Sequence, residues 1–476
     1  MKTFKIYLVL ITWLGICTLP LQLQAKRSSN TTWKPRIVIL TDIAPTHIEP
    51  DDMESMIRLL AHADLLEIEG IIASSGFNSS GGLYPVGWMD SLQTCFNAYE
   101  RDLPNLMKRS NQTSFFAIQQ ENKKQAIGYW PSANYLRQRT VLGSLGFGYK
   151  MLGENNHSQG SELIIKLADE ADERPLWIAI WGGGNTLAQA LWKIKQERTE
   201  KEVDKFLNKL RVYAITDQDV PWDERNQLKT TSHYWMRKTF GKDLFFIWDE
   251  SAWLSQNGLG RDNWQQYVSH IQRHGYLGRI YPKCKWGVEG DTPSFLYLLP
   301  NGLSIPDQCK QGSWGGYFEW HTSPDGETEC YTNASTNIKT ISQKYERYFY
   351  DAIFNNFAAR MDWAEYGKGN RNPIVIINKK GGLQPVKVKA NAGKSVILNA
   401  GQSHDPDGDE LTFKWWILPE AGTYKKPIEL KNSRTSKLTF TLPEDLKNQE
   451  LHIICEVTDQ GTPKLTIRYR AFYGFP

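Results

Sequence analysis

The apolar positions of this chain fall into two periodicities, and the change between them divides it. Arg36 to Thr41 reads RIVILT, β-branched and without polar alternation, as in a strand covered on both faces. Met53, Met56, Ile57 and Leu60 then recur at i, i+3, i+4 and i+7, which predicts a helix with one apolar face. Ile68 to Ala73 predicts the next strand. The same grammar returns at Leu176 to Trp181 (strand), Gly182 to Gly184 (turn), Leu187 to Ile194 (helix), Leu210 to Ile215 (strand) and Leu244 to Trp248 (strand). Strands alternating with helices predict an α/β domain with a doubly wound, mostly parallel sheet over residues 34–365.

A polar stretch rich in Gly, Lys and Asn, residues 366–384, has the composition of a linker. Beyond it, over residues 385–476, come short strands at Val386 to Lys389, Ser395 to Leu398, Leu411 to Ile417, Leu438 to Thr441, Leu451 to Val457 and Leu465 to Arg470. Turn-rich segments separate them, a spacing that predicts an Ig-like β-sandwich. Phe413, Trp415 and Ile417 point to one face and Trp416 to the other.

The first residues add a compartment to this plan. Lys2 and Lys5 precede an apolar run from Ile6 to Leu19, and Leu23-Gln24-Ala25 resembles a cleavage site, so residues 1–25 predict a signal peptide and a secreted or periplasmic chain. The run is shorter than the ~20 residues a membrane span needs. With 56 basic and 52 acidic residues intermixed and a net charge of +4, no basic patch for nucleic acid stands out. Five cysteines remain after the signal, and an oxidising compartment permits a disulfide among them.

Candidate chemistry gathers at strand ends. Asp42 closes the first strand, and Asp51 and Asp52 open the following helix. Three acids there suit either a helix N-terminus or a hard cation such as Ca²⁺, which takes six to eight oxygen ligands. Trp181-Gly-Gly-Gly-Asn-Thr186, Asp217-Gln-Asp219 and Glu289-Gly-Asp-Thr-Pro-Ser294 also lie at strand ends or helix starts, edges that converge on one crevice in a doubly wound fold. Aromatic strings such as Trp314-Gly-Gly-Tyr317-Phe318-Glu319-Trp320 suit sugar faces collectively and core packing singly. Asp405-Pro-Asp-Gly-Asp409 is too short for an EF-hand and predicts a hairpin turn.

ILTDIAPTHIEPDDMESMIRLL resembles the acidic motif of the inosine-uridine nucleoside hydrolase superfamily, and WGGGNTLAQAL its turn carrying a calcium-binding carbonyl. YAITDQD, VEGDTPSFLYLLPNGL, GSWGG, SHDPDGDELTFKWWILPEAGTY and VTDQGTPKLT are similar, in order, to a branch of cellulose-binding proteins with a nucleoside-hydrolase-like domain and a small β-sandwich. The resemblance implies Asp42, Asp52 and Asp291 as Ca²⁺ ligands with a carbonyl near Gly184 or Asn185, and Asp51 as the base that activates water. It implies a carbohydrate or glycoside partner and hydrolysis of a glycosyl bond, or binding of polysaccharide without cleavage. Gly290 stands where a His often serves as leaving-group acid, so Glu289, Asp217 or Asp219 becomes the candidate donor, and Asn185, Asp217, Asp219 and Trp314 the candidate substrate contacts. Oligomeric state stays open.

Overall fold

A computed structural model describes residues 32–48, 50–77, 89–116 and 124–474. The signal-peptide expectation at 1–25 lies outside them. Among the described residues no helix is long and apolar enough to cross a membrane.

Eight strands form the main sheet: β1 (Arg36–Thr41), β2 (Glu67–Ala73), β3 (Thr140–Leu142), β4 (Leu176–Ile180), β5 (Leu210–Ile215), β6 (Phe246–Asp249), β7 (Glu319–Thr322) and β8 (Glu329–Thr332). Their spatial order is β3-β2-β1-β4-β5-β6-β8-β7, parallel throughout except for β7, which runs antiparallel to β8 at the edge. The doubly wound expectation holds, for a reason visible in β1. Ile37 and Ile39 pack into one apolar cluster and Val38 and Leu40 into another, so both faces of the sheet are covered. The β6 strand starts at Phe246 rather than Leu244, because Gly241–Asp243 forms a tight turn first.

Helix α1 (Asp51–Leu60) differs from the one-faced amphipathic expectation. Every residue from Asp52 to Leu60 is buried, Glu54 and Arg58 included. The cover comes from the helix Met89–Arg109, from the 281–296 segment and from the long helix α2 (Thr336–Tyr366), whose Ile353 carbonyl accepts a hydrogen bond of 2.6 Å from Arg58.

The C-terminal part is all β. A four-stranded sheet orders β11 (Val386–Lys387), β16 (Thr466–Tyr473), β15 (Leu451–Thr458) and β13 (Thr412–Ile417), and β12 (Ser395–Asn399) pairs with β14 (Lys437–Thr441). Leu398, Trp415, Leu438, Ile453 and Cys455 lie in its core, joined by Val375 and Ile377 from the polar stretch before it. Residues 376–377 and 380–381 form a small hairpin, β9 and β10. All five described cysteines are free thiols.

Trp415 and Trp416 part company as the alternation requires. Trp415 is in the sandwich core, whereas Trp416 turns toward the α/β core and packs on α2, 6.5 Å from the Tyr345 ring and 5.4 Å from Tyr348. Arg470 reinforces this junction: fully buried on β16, it donates to the carbonyls of Leu303 (2.7 Å), Gln311 (2.9 Å) and Gly312 (3.1 Å). Trp416→Ala removes a half-buried ring between two tyrosines and is expected to cost about 2 kcal/mol, read as a lowered urea midpoint.

Candidate functional site

The sheet order reverses at β1, whose neighbours β2 and β4 lead off to opposite sides. The crevice beyond the carboxyl ends of such strands is where open α/β sheets hold ligands. Asp42, 1% exposed, stands there directly after β1. It is gripped by backbone: a Cβ on Gly76, after β2, would come within 2.3 Å of Asp42 Oδ2, and one on Gly182, after β4, within 2.7 Å of Oδ1. Only glycine permits both chains to close on the carboxylate.

Asp52 is buried next to it. Thr41 Oγ1 donates a short hydrogen bond to Asp52 Oδ1 and accepts one of 3.0 Å from the Ile43 amide, which folds the loop start back onto the helix start. Burial foremost, and then the charges of Asp42 and Asp51, push the Asp52 carboxyl well above the usual carboxylate range. Asp51, only half-buried, opens the helix and accepts the neighbouring Asp52 amide at 3.0 Å.

Asp291 arrives from far along the chain and is held by its neighbours. Its carbonyl accepts from Ser294 Oγ at 2.7 Å, and that hydroxyl accepts from Trp181 Nε1 at 2.8 Å, tying the segment to the end of β4. Thr292 Oγ1 and Ser55 Oγ, 3.2 Å apart, tie it to α1. Carboxylate oxygens of Asp51, Asp52 and Asp291 thereby lie within 4.8 Å of one another. These four acids and the Gly182–Gly184 turn are the predicted residues that the fold brings together.

Three other candidates form a cluster beside them, behind the turn. Asn185 donates to the Gly148 carbonyl at 2.6 Å and accepts from Ser144 Oγ at 2.5 Å. Asp219 Oδ2 accepts the amides of Gly148 (3.0 Å) and Ser232 (2.6 Å), and Asp217 accepts from Thr231 Oγ1 at 2.7 Å. Burial pushes the Asp219 carboxyl up to about 8 and the His233 imidazole down to about 4. His233, 3.5 Å from Asp217, sits so close to Gly184 that a Cβ there would lie 2.4 Å from Nε2.

Glu289 and Trp314 are set back. Glu289 is buried with a positive φ of 59°, unusual for a residue with a side chain. Its carboxylate takes a short ion pair from Arg58 and hydrogen bonds from Tyr281 (3.0 Å) and Tyr267 (3.3 Å). Trp314 is 3% exposed within the apolar core. At Gly290 a Cβ would lie 2.7 Å from Asp51 Oδ2, so a histidine there would displace Asp51. Sequence reasoning missed Thr41, Glu54, Arg58 and His233. Glu54 shares the DDMES string with the acids and accepts the Glu289 amide at 2.8 Å, but nothing local marks it as buried.

These features define a nucleoside-hydrolase-like α/β domain followed by an all-β part. Residues 36–318 match the family described as cellulose-binding Sde182, nucleoside hydrolase-like domain, and the chain belongs to that family. Residues 395–472 match its companion, the C-terminal domain of cellulose-binding protein Sde0182. Among solved structures, a nucleoside hydrolase-related hypothetical protein from Saccharophagus degradans, described as associated with carbohydrate metabolism, is 31% identical. The match covers 93% of this chain and 99% of that one, with a TM-score of 0.77. No curated protein matches.

Because the Asp219 pKa is raised above its ordinary value, the folded chain holds a proton that the unfolded chain releases between about pH 4 and pH 8, so stability falls as pH rises through that window. Chelator-treated protein is expected to melt at a higher temperature near pH 6 than near pH 8. Asp219→Asn should flatten that dependence, and an unchanged slope would count against the raised pKa.

Proposed function

We propose that the chain is a secreted, calcium-dependent hydrolase of glycosyl bonds, acting on a glycoside or a plant-derived saccharide. The observation that carries this reading is the convergence of Asp51, Asp52 and Asp291 oxygens within 4.8 Å at the switch point of the sheet, with Asp42 beside them. Buried carboxylates this close repel unless a cation compensates them. An all-oxygen donor set suits Ca²⁺, so the residues present fit the ion. Asp42, Asp52 and Asp291 would hold it, with a carbonyl of the Gly184 turn. When bound, Ca²⁺ would supply Lewis-acid polarisation of sugar and water oxygens.

The chain's own groups would then divide the remaining work. Asp51, the least buried of the acids, takes a proton from the attacking water as the glycosyl bond breaks through an oxocarbenium-like state, without a covalent intermediate; the leaving group departs with the bonding electron pair and takes its proton from solvent. The family's cellulose-binding description supports a carbohydrate partner and agrees with export.

A second reading, polysaccharide binding without cleavage, has its own observation. Glu289, a candidate proton donor, is committed to Arg58 and two tyrosines, and a binding protein needs no donor.

Calorimetry decides the metal: wild type is expected to bind Ca²⁺ in the crevice, with that binding lost in Asp52→Ala. Equal binding in both would sink the metal site. Nucleosides, aryl glycosides and plant polysaccharides, cellulose included, decide the chemistry. Product release by wild type, abolished in Asp51→Asn, is the expected result; retention of polysaccharide with no product from any substrate selects the second reading.

A further inference from the structure

The DPDGD string of the β-sandwich is a turn, but a turn with unsatisfied oxygens. Asp405, 9% exposed, uses Oδ1 to accept the Asp407 amide at 2.7 Å, while its Oδ2 is buried without a hydrogen-bond partner. Asn370, 5% exposed, lies just past the end of α2. Its Nδ2 donates to Asp459 Oδ2 and to the Pro463 carbonyl, both at 2.9 Å, and its Oδ1 is likewise buried and unpartnered. Both Asn370 bonds run to acceptors, so the amide is oriented with its nitrogen toward them and its oxygen turned elsewhere. Asp459, further along the chain and fully buried, takes the Asn370 amide nitrogen on Oδ2 and accepts the amides of Gly461 (3.1 Å) and Leu465 (2.9 Å) on Oδ1.

The backbone draws these groups to one place. Arg371, next to Asn370, donates its amide to Asp407 Oδ2 at 2.8 Å and its guanidinium to the Pro406 carbonyl at 2.6 Å. Ile374 and His404 exchange a pair of backbone hydrogen bonds. Burial raises the Asp459 carboxyl against three hydrogen bonds that lower it, and the charge of Asp405 adds a smaller upward push.

Positive charge is close but spent elsewhere. Arg109 from the α/β part and Arg371 both pair with Asp407, at 2.7 and 2.8 Å. Among the described residues no cationic side chain pairs with Asp405 or Asp459. Two buried carboxylates and a buried amide oxygen, two of them with an orphaned acceptor, are an arrangement that folded proteins rarely leave uncompensated.

We propose that a hard divalent cation, Ca²⁺ by its ligand chemistry, binds at the unpartnered oxygens of Asn370 and Asp405, beside Asp459, and fastens the start of the sandwich to the DPDGD turn. Carboxylate and amide oxygens in an irregular cage suit Ca²⁺ better than the strict octahedron of Mg²⁺. Entry is available, since Asp405, Gly408 and Asp409 line an open pocket of about 390 Å³ with Ser403, His404 and Phe413. This site is separate from the acidic crevice and does not depend on it.

The test is calcium titration by calorimetry on the full chain after chelator treatment, comparing wild type, Asp52→Ala, Asp405→Asn and Asn370→Ala, with circular dichroism to confirm folding. Two ions are expected in wild type and one in Asp52→Ala. In Asp405→Asn and Asn370→Ala the sandwich ion should be lost or weakened at least about tenfold. If the crevice binds no metal, wild type takes up one ion, which survives Asp52→Ala and is lost in Asp405→Asn; that outcome still supports the sandwich site. Wild-type stoichiometry and affinity in both sandwich variants would overturn it, as would a single wild-type ion lost in Asp52→Ala. Should Asp405→Asn fail to fold, Asn370→Ala, which removes no charge, carries the comparison alone.

Discussion

Repulsion among buried carboxylates is the constraint around which the α/β part is organised. Asp42 and Asp52 are nearly without solvent, and Asp51 and Asp291 crowd against them. Such a cluster opposes folding when ionised. The fold holds it in place by packing on every side. Gly76 and Gly182 bring two strand ends onto Asp42, Thr41 bonds Asp52, and the Trp181–Ser294 contact presses Asp291 inward. Stability spent on holding like charges together is characteristic of sites built to receive something of opposite charge.

The arrangement behind α1 shows how the cluster is kept from collapsing. Arg58, one face of the helix away, neutralises Glu289 rather than any crevice acid, and Glu54 caps the Glu289 amide. This buried Arg58–Glu289 pair fixes the backbone on which Gly290 and Asp291 are mounted. Glu289 itself takes the left-handed backbone conformation in the segment that carries Asp291. Glu289 therefore reads as a positioning group in the ground state, with its negative charge satisfied on three sides.

Much of this was legible in the sequence because it is local. The β1 run, the acids at its end and the glycine turn after β4 follow from residue order and from where parallel sheets place their loops. So does the split between Trp415 and Trp416, which period-two alternation dictates. What could not be read depends on partners remote in the chain. The burial of Glu54 and Arg58 needs Glu289 and Ile353, more than 230 residues away. Glu289 looked available because a string such as VEGD carries no sign of two tyrosines and an arginine folding over it. Trp314 looked like a sugar platform for the same reason, its core neighbours being invisible in GSWGG.

Arg470 has a consequence for how such proteins change over time. A guanidinium buried against the carbonyls of Leu303, Gln311 and Gly312 is a lock whose two halves lie on opposite parts of the chain. A sandwich exchanged for one from an unrelated protein would leave those carbonyls bare, and this sandwich moved onto another protein would bring a buried cation with nowhere to go. The β-sandwich is therefore ill suited to the cut-and-paste shuffling by which tethered modules spread. Its inheritance is expected to follow that of the loop it grips, so the two parts should share one genealogy.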